Sequence, residues 1–329
     1  MRFIIGYFVA FILTACSIKQ QSDINYIQLQ GNAQGTTFKI IYNDSLQRDF
    51  STQIDSLLKK LDTSLSTYVP ESIISKVNKN DSTVVLDQHF ITVFNRSQEI
   101  SELSEGAFDI TVATLINAYG FGFGKKENID SLLIDSLLNY VGYKKVKIEN
   151  NKVIKQHPAI QLDFNAIAQG YSVDVLADFL EKKGIENYMI EIGGELRCKG
   201  KNSKGNYWNI GIDKPIENLQ KREMQTIVPL KNKAMATSGN YRKFYEKDGV
   251  KYSHTIDPKT GWPVKHQLLS ATVIADDAMT ADAFATVFMV MGKDKAIEFL
   301  ETHKNLNLQV YLIFQNKDKL EVYSTIQTN

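Results

Sequence analysis

The chain has 329 residues, 43% of them hydrophobic and 23% charged, with a formal net charge of +1. That length buries a large core in one big domain or two smaller ones, and the composition is that of a soluble globular protein, which excludes a disordered chain. Charge this close to balance, with no Lys/Arg block along the chain, argues against nucleic acid as a partner.

Met1 and Arg2 precede an apolar run from Phe3 to Leu13. It is too short to span a bilayer and suits the core of a secretory signal. The run closes on Leu13-Thr14-Ala15-Cys16, which resembles the lipobox of bacterial lipoproteins. There, cleavage leaves Cys16 as the first residue, with diacylglycerol on its sulfur, and two or more acyl chains hold a protein stably on a membrane. A plain signal peptide or membrane anchor with an incidental cysteine is the alternative. The polar stretch Ser17 to Asn25 reads as a tether. The expected organisation is therefore a signal over residues 1–15, a lipidated start and tether over 16–25, and one domain over 26–329. Besides Cys16 there is only Cys198, so acylation excludes an intramolecular disulfide.

Strand patterns at Tyr26–Gln30 and Thr36–Tyr42 flank the turn-rich GNAQG. Helical periodicity follows over Phe50–Leu65 and His89–Leu103, and a third apolar pattern runs from Ile129 to Tyr140. Short strands are expected at Lys145–Glu149, Lys152–Lys155 and Ala159–Asp163, then a helix over Ala166–Lys183 stopped by Gly184. Strands at Tyr188–Ile192, Glu195–Lys199, Tyr207–Asp213, Thr226–Leu230 and Leu269–Ala275 are punctuated by Gly, Pro and Asn. Helices from Asp277 and over Asp294–His303 precede strands at Gln309–Phe314 and Leu320–Tyr323. Strands and helices mix without strict βαβ alternation, which favours α+β over a doubly wound sheet, and neither a repeat nor a linker divides the chain.

The segment ADDAMTADAFATVFMVMG, Ala275 to Gly292, carries three carboxylates. Asp276 and Asp277 suit a helix start, where free backbone N–H groups and the dipole favour negative charge. Asp282 lies among Ala281, Ala283, Phe284 and Ala285, and a carboxylate in such surroundings must be paired, protonated or bound to a cation. No P-loop, nucleophile elbow or Cys/His cluster of metal-ligand spacing occurs. What remains are polar patches in apolar settings: SEGAFDITV with Asp109, LDFNAIAQGYSVD with Asp163 and Gly170, EIGGELRCKG, ATSGNYR with Arg242, and SHTIDPKTGWPV with His254 and Asp257. Gly170 in a helix opening suits close backbone approach to a ligand, and Gly193-Gly194 suits a turn beside a buried carboxylate. Each patch also has an ordinary reading as a turn or a hydrogen-bonded core residue. Together they ask for a large, oxygen-rich ligand.

With GTTF (Gly35 to Phe38), LSTYVPES, AYGFG and ADAFAT, these stretches resemble in order the ApbE family, the FAD:protein FMN transferases. The resemblance implies an α+β fold related to the T-fold, with mixed sheets packed by helices in a single large domain. It implies that FMN passes from FAD to a threonine hydroxyl of an acceptor flavoprotein, with Mg²⁺ bound. Its metal ligands fall on the Ala166 carbonyl, Asp282 and Thr286; its FAD contacts fall on Tyr68, Ala107, Phe108, Asp109, Asp163 and Ile256, with Gln34 and Gln169 at matching positions. Tyr68 would stack on a ring of the nucleotide, the alternative being a core aromatic. Where many members have Met-Gly-Thr this chain has Gln34-Gly35-Thr36, and where many carry Lys it has Gln169, which removes a positive charge near the ligand. His254 and Asp282 compete as the base that takes the threonine proton, with His254 favoured by its intrinsic pKa. The same site would serve an FAD pyrophosphatase, and a lipid-anchored flavin binder without turnover is the non-enzymatic alternative. Acceptors in the family, subunits of membrane redox complexes or exported flavoproteins, imply a lipid-anchored enzyme of the cell envelope, on the periplasmic face of the inner membrane. Ser17 after Cys16 leaves the choice of membrane open.

Overall fold

A computed structural model describes residues 26–122, 127–215, 223–240, 244–247, 250–253 and 255–326. Cys16, Arg242 and His254 lie outside the described residues. The chain opens with a hairpin of β1 (Tyr26–Ala33) and β2 (Thr36–Asn43), turned at Gln34 and Gly35 with φ of 52° and 73°. On β2, Phe38, Ile40 and Tyr42 alternate inward and are buried, as a strand with one face on a core requires. Next come α1 (Ser51–Leu65), α2 (Ile73–Asn78), α3 (Gln88–Leu103), α4 (Ala113–Ala118) and α5 (Ser131–Leu138). A small hairpin, β3 (Val146–Glu149) with β4 (Lys152–Lys155), leads to α6 (Ala168–Lys182), which Gly184 stops at φ 82°.

The remaining strands are β5 (Tyr188–Ile192), β6 (Glu195–Lys199), β7 (Trp208–Asp213), β8 (Met224–Leu230), β9 (Ala234–Gly239), β10 (Phe244–Lys247), β11 (Val250–Ser253) and β12 (Leu268–Ala275). Helices α7 (Ala278–Met291) and α8 (Lys293–Thr302) precede β13 (Gln309–Asn316) and β14 (Lys319–Ser324). Among the described residues the main sheet has eight strands in the order β1-β2-β5-β6-β9-β12-β13-β14, and its pairings are antiparallel. The fold is α+β, as expected from the unalternated element order.

One face of the sheet is covered by helices. Ile54 and Leu58 of α1 and Val173, Leu176 and Leu180 of α6 pack on Ile40, Tyr188 and Ile190, while Phe284 and Phe288 of α7 join Val273, Val310 and Leu312. The opposite face takes Trp208, Ile212, Val228 and Leu230 of the β7–β8 hairpin. A satellite cluster of Leu115, Tyr119, Ile134, Val141 and Ile256 holds α4, α5 and the loop at 255–264 together.

Two expectations need correction. Ala159–Asp163 is not a strand: Leu162 N donates to Asn78 Oδ1 at 2.7 Å and Asp163 N to the Ile110 carbonyl at 2.8 Å, so this backbone is satisfied without a ladder. The ATSG stretch, read as a polar patch, is part of β9, a central strand. The side-chain space at Gly170 is taken by another helix: a Cβ there would stand 2.3 Å from the Ala278 carbonyl oxygen and 2.8 Å from Asp282 Cβ. The α6–α7 contact therefore depends on a missing side chain. Gly170→Ala is expected to force the helices apart and to cost about 2 kcal/mol or more, read as a lowered urea midpoint with an unchanged m-value.

Candidate active site

The opening of α6 and the first turns of α7 hold each other through side chains. Asp282 Oδ2 accepts from Gly170 N at 3.0 Å. In return Asp174, from α6, accepts from Ala278 N at 3.0 Å and Met279 N at 2.8 Å, two of the free N–H groups at the start of α7. Asp277 caps the same helix by accepting from Thr280 N at 2.7 Å, as expected, whereas Asp276 pairs with Lys233 instead of capping. Asp282 is 8% exposed, and burial pushes its pKa up from 3.8 to about 7, against the Gly170 N–H that favours the anion. Thr286 follows one turn later on α7, half-buried, and Ala166 lies just ahead of α6, half-buried.

Two turns close on this juncture. In the β1–β2 hairpin, Gln34 Nε2 donates to Ser172 Oγ of α6 at 2.7 Å, and Gln34 Oε1 is buried without a partner. Between β5 and β6, Gly193 and Gly194 adopt φ of 67° and 126°, the turn expected from the sequence. A side chain at Gly193 would meet Thr36 Cγ2 at 2.9 Å and both Gln169 Nε2 and Glu195 Oε2 at 3.2 Å. Gln34, Gln169, Gly170, Asp282 and Glu195 thus share one neighbourhood.

A second group gathers around residues 106–109. Asp109 Oδ1 accepts from Thr111 N at 2.8 Å and Thr111 Oγ1 at 2.6 Å, and Oδ2 accepts from Tyr143 N at 2.7 Å. Its carboxylate ties two loops together, and burial raises its pKa despite these bonds. Ala107 and Phe108 are buried. A Cβ at Gly106 would stand 3.5 Å from the Tyr143 ring and 3.7 Å from Lys259 Cε, which brings the loop containing Ile256 to this group. Ile256 is buried and pairs with Pro263 across an isolated bridge. Asp163, whose N–H holds the Ile110 carbonyl, accepts from Asn165 N at 2.6 Å and Asn165 Nδ2 at 3.0 Å, and burial lifts its pKa to about 6. Tyr68 stands in the turn between α1 and α2 and is 64% exposed, so the core alternative for it fails.

Sequence reasoning does not single out Glu195, Asp174 or Arg197. The signal is present in ELRCK: Glu195, Arg197 and Lys199 alternate with buried Leu196 and Cys198, placing three charges on one face of a strand.

Residues 34–312 match the ApbE family. The FAD:protein FMN transferase of Haemophilus influenzae is 37% identical over 327 residues, covering 95% of this chain and 92% of that protein. The FAD:protein FMN transferase of Vibrio cholerae is also 37% identical, over 309 residues, covering 91% of this chain and 90% of the relative. Among solved structures, flavin transferase ApbE from Vibrio cholerae aligns with a TM-score of 0.82 at 36% identity, covering 91% of this chain and 97% of that one. Apo flavinyl transferase ApbE from Pseudomonas stutzeri aligns with a TM-score of 0.82 at 31% identity, covering 92% and 95%. These likenesses make the chain an enzyme of the transferase class. It belongs to the ApbE family.

The raised carboxylates set a pH dependence. Asp163 and Asp174, each lifted to about 6, and Asp282, to about 7, keep protons in the folded chain that the unfolded chain releases near its ordinary 3.8. Their stabilisation is full below about pH 4 and is lost as pH rises through about 6 to 7. In chelator-treated buffer the urea midpoint should fall between about pH 4 and 7, and Asp163→Asn should flatten that fall. An unchanged slope in the variant would remove Asp163 from the account.

Proposed function

We propose that this chain is an FAD:protein FMN transferase that moves FMN from FAD onto a threonine hydroxyl of an acceptor flavoprotein and releases AMP, with Mg²⁺ required. The observation that supports it most is Asp282, a buried carboxylate held at the junction of two helices whose nearby oxygens suit a hard cation. Ala166 through its carbonyl, Asp282 and Thr286 through its hydroxyl would hold the ion. Among the described residues no group of three His, Cys, Asp or Glu side chains converges. A site of one carboxylate, one hydroxyl and one carbonyl matches the way Mg²⁺ is held, by few protein oxygens plus phosphate and water. When bound, the ion would neutralise charge on the pyrophosphate.

The protein's own tasks are placement and proton removal. Tyr68, exposed on its turn, would stack on a flavin or adenine ring. Ala107, Phe108, Asp109, Asp163 and Ile256 form one wall, where Asp109 and Asp163 spend their carboxylates on fixing loops, so contact with FAD there falls to backbone groups and to the remaining lone pairs. Gln34 and Gln169 offer neutral amides at the other end. The threonine oxygen forms a bond to the FMN-side phosphorus, the bond from that phosphorus to the bridging oxygen breaks, and AMP carries that oxygen away. The hydroxyl proton passes to His254, with Asp282 the competing acceptor.

In this reading the enzyme works in the cell envelope. A signal over residues 1–15 is removed, acylated Cys16 anchors the chain, and residues 17–25 tether the domain at the periplasmic face of the inner membrane. Among the described residues no helix is long and apolar enough to cross a membrane.

The test incubates the protein with FAD, Mg²⁺ and a threonine-bearing acceptor, following AMP release and covalent fluorescence of the acceptor. Fluorescence with AMP supports the transferase, AMP alone indicates a pyrophosphatase, and neither indicates a binder. Asp282→Ala should lower the rate of flavin attachment by about a thousandfold; a full rate in chelator-treated buffer would end the scheme.

A further inference from the structure

Strand β6 lies against α6, and the charged side chains on its helix-facing side meet those of the helix rung by rung. Lys199 Nζ stands 2.7 Å from Glu181 Oε2. Arg197 reaches Asp174 at 2.9 Å and Glu181 at 3.5 Å. Glu195 holds the next position on that face, two residues back along the strand. It lies at the opening turn of α6, where the helix brings Gln169, a neutral amide, to the same face of Gly193. The first rung has a carboxyl on the strand and, among the described residues, an amide and not a cation on the helix.

Glu195 is 9% exposed, and its Oε2 is buried without a hydrogen-bond partner. Gly193, with no side chain, lets that oxygen and Gln169 Nε2 come within 3.2 Å, and Thr36 Cγ2 within 2.9 Å, of where its Cβ would stand. Asp282, whose Oδ2 accepts from the N–H of Gly170, the residue after Gln169, brings a second carboxyl to this corner. Two carboxyls in one buried corner ionise together only at a cost unless a cation sits with them. Arginine and lysine fill that need on the next two rungs; at the first rung the opposite charge has to come from outside the chain.

We propose that Glu195 belongs to the cation site and supplies its second carboxylate beside Asp282. The inference rests on the metal-dependent reading of the site and extends it to a residue which that reading does not use. Two carboxylates instead of one neutralise a divalent ion locally, so Glu195 sets affinity for the ion in the absence of any nucleotide.

The probe is Mn²⁺ alone, titrated into the full chain without FAD and followed by loss of the free-Mn²⁺ paramagnetic resonance signal. Glu195→Gln, which keeps size and shape, should weaken Mn²⁺ binding at least tenfold, and Glu195→Ala should do the same. In chelator the thermal midpoint of Glu195→Gln should be equal to or above that of the parent, because a buried carboxyl with an unpartnered oxygen has gone, while the upward shift produced by Mn²⁺ should shrink. A merely structural glutamate would lower the midpoint and leave Mn²⁺ affinity alone. Asp282→Asn runs in parallel. If it weakens binding while both Glu195 variants bind like the parent, Glu195 lies outside the site and the proposal falls; if all three bind like the parent, the metal-dependent reading falls and takes the proposal with it.

Discussion

The arrangement depends on two helices that satisfy each other's free N–H groups with buried carboxylates. Asp174 of α6 takes the first N–H groups of α7, and Asp282 of α7 takes Gly170 N–H of α6. A helix start exposes donors that cost free energy when buried, so each carboxylate removes a penalty from its neighbour as well as answering its own. Gly170 permits this because its absent side chain lets the Ala278 carbonyl approach where a Cβ would clash. Loss of that one contact would move Asp282 relative to every other residue at the site.

The loops are held by bonds of their own. The carboxylates at the other wall, Asp109 and Asp163, are occupied with Thr111, Tyr143 and Asn165. Through Tyr119, whose hydroxyl donates to the Gly261 carbonyl at 3.0 Å, the loop at 255–264 is pinned to α4 as well. Polar residues of this kind hold irregular backbone in one conformation that no sheet ladder could supply. In the proposed reading a large nucleotide would meet walls formed in advance, which lowers its ordering cost.

Much of this architecture is legible in the amino-acid sequence. The strand runs, the helices at α1, α3, α6 and α7, and the anomaly of Asp282 follow from periodicity and from the cost of buried charge. Helices α2 and α4, of six residues each, carry too few turns for a period to register. Strand β9 reads as AMATSG, whose small and hydroxyl-bearing residues suit a strand packed closely between neighbours but look like a loop in isolation. Gly170 is recognisable as a point of close approach, but the identity of what approaches is a tertiary fact: Ala278 stands 108 positions further on. Glu195 escapes notice because a charged residue after a Gly-Gly turn is the ordinary composition of a hairpin. Only the face shared with Arg197 and Lys199 distinguishes it.

That face shows how the chain divides stability from chemistry. Along most of α6 the negative charges of the helix are matched by Arg197 and Lys199 from the sheet, and Tyr188 donates to Glu181 Oε1 at 2.6 Å to complete the set. These pairs are only partly buried, so their net contribution is modest and their effect is chiefly to fix the register of helix on sheet. At the opening of α6 the matching stops, and Glu195 meets the amide of Gln169 where a cation would continue the pattern. Local rules of charge pairing are broken at that end of the interface. Such a departure lowers the stability of the empty protein, and it persists where a ligand restores the balance. The register set by the paired rungs is what holds the unpaired one in place, so the same strand that stabilises the fold delivers the carboxylate that the fold alone does not need.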